Sequence, residues 1–577
     1  MNTPLNQVPN PTKEERHEML RNTLADVGRP EDYEFILKYL SPPSEITDFA
    51  APGELRNMKI GILGGGLAGM SAAFELRKLG ADITILEASR DRIGVRVYTY
   101  YFDQKRSNYG EFGAMRIPVS HETSWHYIDL FHLDTLSLTT LRRNNFLYAH
   151  NTRLRTTDSI EQYLYPKYDL TPEERNTPWN ELLDYAIVSR FRVLQPQIRS
   201  ELLQILPDYS PEFIPLMTMS LRQNFEDLGL SQGAIQLISS ADPTSGALLH
   251  ISYDEIAHEE YSLDYRNTYR IQGGNTKLAQ AFYQSFQSDY PPEYSGISPE
   301  LIGTVNYKSG NLVTGIYRSD YRNKIIVKFT GSEEGNDAAD IFDYVICALP
   351  LSALREIEIK PLFANQKTQA ILELNYIDAL KSLFLCDRRF WERDTDYGGM
   401  FGGISFTDLP IQSIIYPSDH NQCASISAAS SNGSNPSGRI PFCSYENPGV
   451  LVASYNLEQN SVRLGGMNPQ QRYEVIRQNV EEVHGLPRGF LDPIVKQVKT
   501  VHWNNEPFHR GALAYTLPNQ KRLFSYELLQ PEYNGRLFLA GEHASAKHGW
   551  MQGALYSGKS AANRLAGLFH NDYTGIF

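Results

Sequence analysis

Apolar residues fall along the chain in patterns that predict different elements. "MKIGIL" at 58–63 and "DITILEA" at 82–88 are short runs of buried-strand type, and Leu67, Met70 and Phe74 recur between them at helical spacing. Residues 58–100 therefore predict strand, helix, strand. From about 121 to 265, "SWHYIDLFHL", "PWNELLDYAIVSRFRVLQPQIRSELLQIL" and "SPEFIPLMTMSLRQNF" carry spaced apolar residues with polar backs, which predicts a helical stretch. Short β-rich runs return from 299 to 350, ending in "DYVICALPLSAL". After 360 come "ALKSLFLCDRRFW" and "GGISFTDLPIQSIIYPS". A helix is predicted at 468–483, and the last elements are a strand at 536–540 and a helix at 552–568. Residues 1–51 form a charged helical extension closed by "SPPSEITDFAAPGE", whose prolines break regular structure. "SAASSNGSNPSG" has the composition of a flexible surface loop.

Composition narrows this picture. At 577 residues the chain exceeds one hydrophobic core, so two or three domains are expected. A formal charge of −13 repels polyphosphate and argues against a nucleic-acid partner. Cys347, Cys386, Cys423 and Cys443 are too few and too scattered for a disulfide framework, and no CxxC pair suggests a metal. The polar, proline-bearing start has no apolar segment of the signal or anchor kind. A cytoplasmic rather than secreted protein is expected, without a membrane partner.

Chemistry enters at Gly64-Gly65-Gly66-Leu67-Ala68-Gly69, a GxGxxG between the first strand and its helix. Glycines there allow a tight turn and close backbone approach to a pyrophosphate, while the helix N-terminus supplies N–H groups. Glu87 ends the second strand, where an acidic side chain accepts bonds from both ribose hydroxyls and disfavours a 2′-phosphate. A dinucleotide other than NADP is expected. The late stretch "GEHASAKHGWMQGA" runs from an apolar strand straight into Gly541 and Glu542, then Gly549, Trp550 and Met551. A strand ending in a carboxylate among glycines looks like the wall of a binding site.

Further motifs give these features a common origin. "EASRDRIGVRVYTYYF" places Arg92, Gly94 and Arg96 beyond Glu87 and Ala88, and "NYGEFGAMRIP" places Gly113, Ala114, Met115 and Arg116 after them. With "DYVICALPLSAL", "WNNEPFHRGA" and the late stretch, the chain resembles the flavin amine oxidase superfamily, and within it the L-amino acid oxidases. Its Arg-x-Gly-Gly-Arg turn departs from the family, since Val95 stands at the second glycine. The resemblance implies non-covalent FAD, with no cysteine beyond Cys443 for attachment. The flavin would be held by Gly64, Gly66, Leu67, Ala68, Gly69, Glu87, Ala88, Arg92, Arg96, Gly113, Ala114, Met115, Arg116, Gly541, Glu542, Gly549, Trp550 and Met551.

The same resemblance implies a substrate. The planar guanidinium of Arg116 would take an α-carboxylate with two parallel hydrogen bonds, joined by the hydroxyl of Tyr416, with Trp550 and Gly549 completing the wall. Lys381, a lysine in an apolar strand, would sit near flavin N5 and assist the reaction with oxygen. The implied reaction moves hydride from Cα of an L-amino acid to flavin N5. Water then gives the 2-oxo acid and ammonia, and oxygen gives hydrogen peroxide. Asp254, Glu255, Glu259 and Glu260 in "ISYDEIAHEEY" are expected on a solvated helix face rather than against a basic substrate, and His543 and His548 are expected to be structural. An L-amino acid 2-monooxygenase, an amine or polyamine oxidase and a non-catalytic flavin-binding protein are the rival functions.

The expected fold is α/β. It comprises a discontinuous Rossmann-like FAD domain (52–100, 266–360, 530–577), an interleaved α+β substrate domain (101–120, 361–529), an all-helical insertion (121–265) and the extension 1–51. A homodimer or higher oligomer is expected.

Overall fold

The computed structural model describes residues 9–138, 144–319, 321, 323–331, 336–420 and 444–569. Its nucleotide-type sheet has five strands in the order Thr304–Ser309, Asp82–Glu87, Lys59–Leu63, Tyr344–Cys347, Leu537–Leu539, with every neighbouring pair parallel. Parallel strands covered on both sides explain the near-continuous apolar runs. Ile60, Ile62, Ile83, Ile85 and Ile346 enter one core, while Leu63, Leu86, Val345 and Cys347 point to the opposite one. The first core is closed by helices Leu67–Arg77 and Met551–Ala566. Their approach demands a glycine, because a Cβ on Gly558 would lie 2.1 Å from the Ala68 carbonyl oxygen. The early and late ends of the sequence are thus joined in one layer. Lys59–Leu63 lies at the centre of the sheet, with Asp82–Glu87 on one side and Tyr344–Cys347 on the other. That is the switch point where a crevice forms beyond the strands' carboxyl ends.

A second sheet has seven strands, ordered Val495–His502, Ala379–Cys386, Gly449–Leu457, Ser413–Ile415, Ile404–Thr407, Phe146–Ala149, Thr152–Arg155. Its last two strands correct the expectation of an all-helical insertion over 121–265, as does the short strand Thr135–Ser137. The physical reason lies in "FLYA": Phe146 and Tyr148 pack into one core, and Leu147 and Ala149 into another. With both faces buried, the run shows no alternation to mark it as strand. Helices fill the chain from Ile160 to Tyr261. Among them Trp179–Arg192 is set off from Pro196–Arg199 by the proline, and Ile214–Thr218 from Leu221–Asp227 by the capping residue Ser220.

The extension carries helices Lys13–Asp26, begun by a Thr12–Glu15 capping box, and Tyr33–Leu40. The predicted helix at 468–483 is Pro469–His484, ended by Gly485 at φ +68°. The loop "SAASSNGSNPSG", with Cys423 and Cys443, lies outside the described residues. Cys347 and Cys386 are free and buried.

Candidate active site

The crevice opens into a cleft of about 1520 Å³, solvent at its mouth included. Gly64, Glu87, Ala348 and Gly541 line it, each at or just beyond the carboxyl end of a strand of the parallel sheet. Gly64 turns at φ +100°, a left-handed conformation that favours glycine. A Cβ on Gly69 would meet the Gly64 carbonyl oxygen at 2.1 Å, so this glycine lets helix and strand approach. Gly66 differs, because an added Cβ there would meet nothing within 4 Å. Its missing side chain leaves room in the cleft rather than in the protein. Glu87 accepts from Gly65 N and Ser89 N at 2.7 Å each. Burial raises its pKa and these N–H donors oppose the rise.

Most of the residues predicted from sequence are brought together here. Gly64, Gly66, Leu67, Ala68, Glu87, Ala88, Arg96, Gly113, Ala114, Met115, Arg116, Lys381, Gly541, Glu542, Gly549, Trp550 and Met551 all line the cleft. Glu542 is held by Arg96 at 2.7 Å and by the N–H groups of Ala514 and Gly549 at 3.0 and 2.6 Å. Val95 also lines the cleft and stands at φ +56°, a region that β-branched residues rarely adopt. Gly69 and Arg92 do not line it. Gly69 serves packing, and Arg92 is drawn away by Glu506 at 2.7 Å and lies over the Tyr98 ring at 4.1 Å.

Lys381 is buried in strand Ala379–Cys386, where its Nζ donates to the Gly113 carbonyl at 2.8 Å. Burial, and then the neighbouring Arg116, lower its pKa to about 7. Arg116 lies 5.7 Å from the Tyr265 ring, and among the described residues it has neither hydrogen-bond nor ion-pair partner. Arg116 makes no ion pair with the nearby Glu111. Glu111 accepts instead from Thr99 Oγ1 and Asn275 N.

Tyr416 is a correction. It is buried in the second sheet's own core, where its hydroxyl bonds Ser405 Oγ at 2.9 Å and His484 Nε2 at 3.0 Å. Ile414 and Tyr416 share one face of their strand, and that face packs away from the cleft. The tyrosine of this sheet that does reach the cleft is Tyr455. It is the cross-strand partner of Lys381, and the lysine Nζ lies 4.6 Å from its ring. Trp550 faces Tyr265, not Tyr416, with ring centroids 5.8 Å apart.

The acidic helix Tyr253–Tyr261 is a second correction. Asp254, Glu255 and Glu259 are buried and Glu260 is nearly so, because this helix runs through the core rather than over it. Glu255 bonds His548 Nδ1 at 2.7 Å, which raises that histidine against its burial. Glu259 lines the cleft and accepts from Tyr515 at 2.5 Å, Trp550 Nε1 at 2.8 Å and Tyr265 at 3.0 Å. His543 is buried with neither ring nitrogen partnered among the described residues, and burial lowers its pKa to about 3. Tyr265, Tyr455 and Tyr515 were not predicted from sequence, and Glu259 was placed on the wrong side of its helix.

The family model for flavin containing amine oxidoreductases matches residues 67–566. The chain belongs to that family. This flavin amine oxidoreductase is 25% identical to the L-amino-acid oxidase of Vipera ammodytes ammodytes, over 94% of this chain and 98% of that one. It is equally identical to L-amino acid oxidase bordonein-L of Crotalus durissus terrificus, over 94% and 92%. Among solved structures, cyclohexylamine oxidase from Brevibacterium oxydans IH-35A superposes with a TM-score of 0.61 at 16% identity, covering 88% of this chain and 98% of that chain. Putrescine oxidase bound to putrescine gives 0.59 at 16%, with the same coverage. The expectation of a cytoplasmic protein is corrected: the L-amino-acid oxidases that the chain resembles do not support it.

The oxidoreductase acts on CH–NH2 donors with FAD as cofactor. Its residues fit that group: a turn left open at Gly66, the start of helix Leu67–Arg77, and Glu87 beside them. Neither described cysteine lines the cleft.

Proposed function

We propose that this flavin amine oxidoreductase is an L-amino acid oxidase, which converts its substrate to a 2-oxo acid and ammonia with release of hydrogen peroxide. The observation that supports this most strongly is Arg116. A guanidinium facing the cleft with no partner among the described residues is placed to receive a carboxylate through two parallel hydrogen bonds. An amine without a carboxylate would leave it unsatisfied, at the cost of burying an unpaired charge. Bound FAD supplies the two-electron oxidation of the C–N bond and the reaction with oxygen.

The chain's own residues do the rest. Arg116 orients the zwitterion by its acidic end, and Tyr265, Tyr455 and Trp550 exclude water from the reacting carbon. The substrate ammonium must lose a proton to offer its nitrogen lone pair. Lys381 Nζ, anchored on the Gly113 carbonyl and titrating near neutrality, can hold or release a proton at the same end of the cleft.

The test is anaerobic bleaching of the bound flavin by a panel of L-amino acids and by the amines formed on their decarboxylation. Bleaching by the acids and not by the amines supports the proposal. Equal bleaching by both removes it. Formation of amide and carbon dioxide in air would identify a monooxygenase instead.

A further inference from the structure

Two opposite charges in the cleft are left without a counter-ion among the described residues, one beside the ring of Tyr265 and one at its hydroxyl. Arg116 is one. The other is Glu259, buried to 5% exposure, whose hydrogen bonds among the described residues come from the neutral donors Tyr515, Trp550 and Tyr265. The remaining carboxylates of the cleft have a cation to answer them: Glu542 is paired with Arg96, and Glu87, held by two backbone N–H groups, feels the charge of Arg92. Lys547, whose charge Glu259 feels, commits its ammonium to Asp264 and Ser262. Burial, and then the charge of Asp264, raise Glu259 to about 7. A buried carboxylate without a cation is costly unless something arrives to pair with it.

The two charges differ in their other neighbours. Arg116 acts on Lys381, whereas Glu259 feels Asp264 and Lys547. Tyr265 bridges them, its ring beside the Arg116 guanidinium and its hydroxyl donating to Glu259. On the reading that Arg116 takes the α-carboxylate and the α-carbon lies toward Lys381, the side chain is the part of the substrate left to reach Glu259 past Tyr265. Tyr265, Tyr515 and Trp550, which hold Glu259, also line the cleft, and aromatic rings there favour a cation.

We propose that Glu259 receives a positively charged side chain, so that the substrate class is the basic L-α-amino acids, with an ammonium or guanidinium at the far end. This rests on Arg116 taking the α-carboxylate. No covalent step is added. The carboxylate supplies a counter-ion and leaves neutral side chains facing an unpaired charge.

The test compares kcat/KM of the holoenzyme for L-lysine, L-ornithine and L-arginine with that for L-norleucine and L-methionine, in the wild type and in Glu259→Gln and Glu259→Asp. The wild type should prefer the basic substrates by roughly 30-fold or more, the discrimination of a buried charged pair. Glu259→Gln should collapse that ratio mainly through KM for lysine, and Glu259→Asp should restore part of it. Equilibrium binding of L-lysine under argon, followed by the flavin absorbance, should weaken in parallel in Glu259→Gln. A wild type that prefers norleucine overturns the proposal. So does a Glu259→Gln variant that loses all substrates equally, the mark of a structural role or of proton transfer from the α-ammonium. Turnover of cadaverine as fast as lysine would remove the Arg116 reading while leaving the cation preference intact, so the two failures are distinguishable.

Discussion

Replacing Gly66 by alanine separates a glycine that the cofactor requires from one that the fold requires. Gly66 caps helix Leu67–Arg77 at φ −77° and ψ 179°, which alanine adopts freely, and its added methyl meets no protein atom within 4 Å. The apoprotein should therefore lose only the small N-cap advantage of glycine over alanine, about 0.5–1 kcal/mol, and its Tm should fall by no more than about 3 °C. In the holoenzyme the same methyl would intrude on a dinucleotide held against this turn. Overpacking costs about 1–3 kcal/mol, which weakens FAD binding roughly 5- to 150-fold. Gly69→Ala is the contrast, since its methyl would sit 2.1 Å from the Gly64 carbonyl oxygen and must displace backbone whether or not FAD is bound. The assay is titration of apoprotein with FAD, followed by quenching of flavin fluorescence, alongside thermal unfolding of each apoprotein. Wild-type affinity in Gly66→Ala would refute the placement of the dinucleotide against this turn. An apoprotein as unstable as that of Gly69→Ala would show that the glycine is structural after all.

Three other expectations follow from the same geometry. Val95→Gly should raise the Tm of the holoenzyme by about 1–3 °C, because relief of the left-handed strain at φ +56° outweighs the chain entropy of glycine; a lower Tm contradicts this. Tyr416→Phe should cost about 1–2 kcal/mol of stability through its buried bonds to Ser405 and His484 while leaving KM for the amino acid within about threefold, and a tenfold rise in KM would put this tyrosine back in the site. For Lys381 the pKa falls from 10.5 to about 7, so the ammonium predominates below pH 7 and the amine above it. A transition near pH 7 in the rate of flavin reoxidation should therefore vanish in Lys381→Met. Between pH 7 and 10.5 the unfolded chain binds a proton that the folded one does not. The wild type should accordingly gain stability relative to Lys381→Met as pH rises through that window, by an amount on the order of a few kcal/mol, and a constant difference would contradict the buried lysine.

What the sequence made legible was whatever is decided locally. The glycine turn at 64–69 and the strands flanking it depend on backbone conformation and run length, and both survive in a linear reading. Lys381 was visible because an ammonium in an apolar strand has to be explained. The arrangement of distant walls was not. Whether Tyr416 or Tyr455 faces the cleft depends on strand order and register, with a register shift between Ser382 and Leu383 that no single strand records. Glu259 lies on a helix whose polar residues pair with His548, Thr516, Tyr515 and Trp550, all remote in sequence, so a buried helix carried the composition of an exposed one. Phe146 to Ala149 hid for the opposite reason, being apolar on both sides.

The most direct test of the account is kcat/KM for an L-amino acid and for its decarboxylated amine, measured in the wild type and in Arg116→Met, each with the flavin spectrum recorded. Removing one partner of a buried charged hydrogen-bonded pair costs about 2–5 kcal/mol, so the amino acid should lose roughly 30- to 5000-fold while the amine changes little and the spectrum stays that of bound flavin. An equal loss for both substrates, or none for the amino acid, would contradict the assignment of Arg116 to the carboxylate.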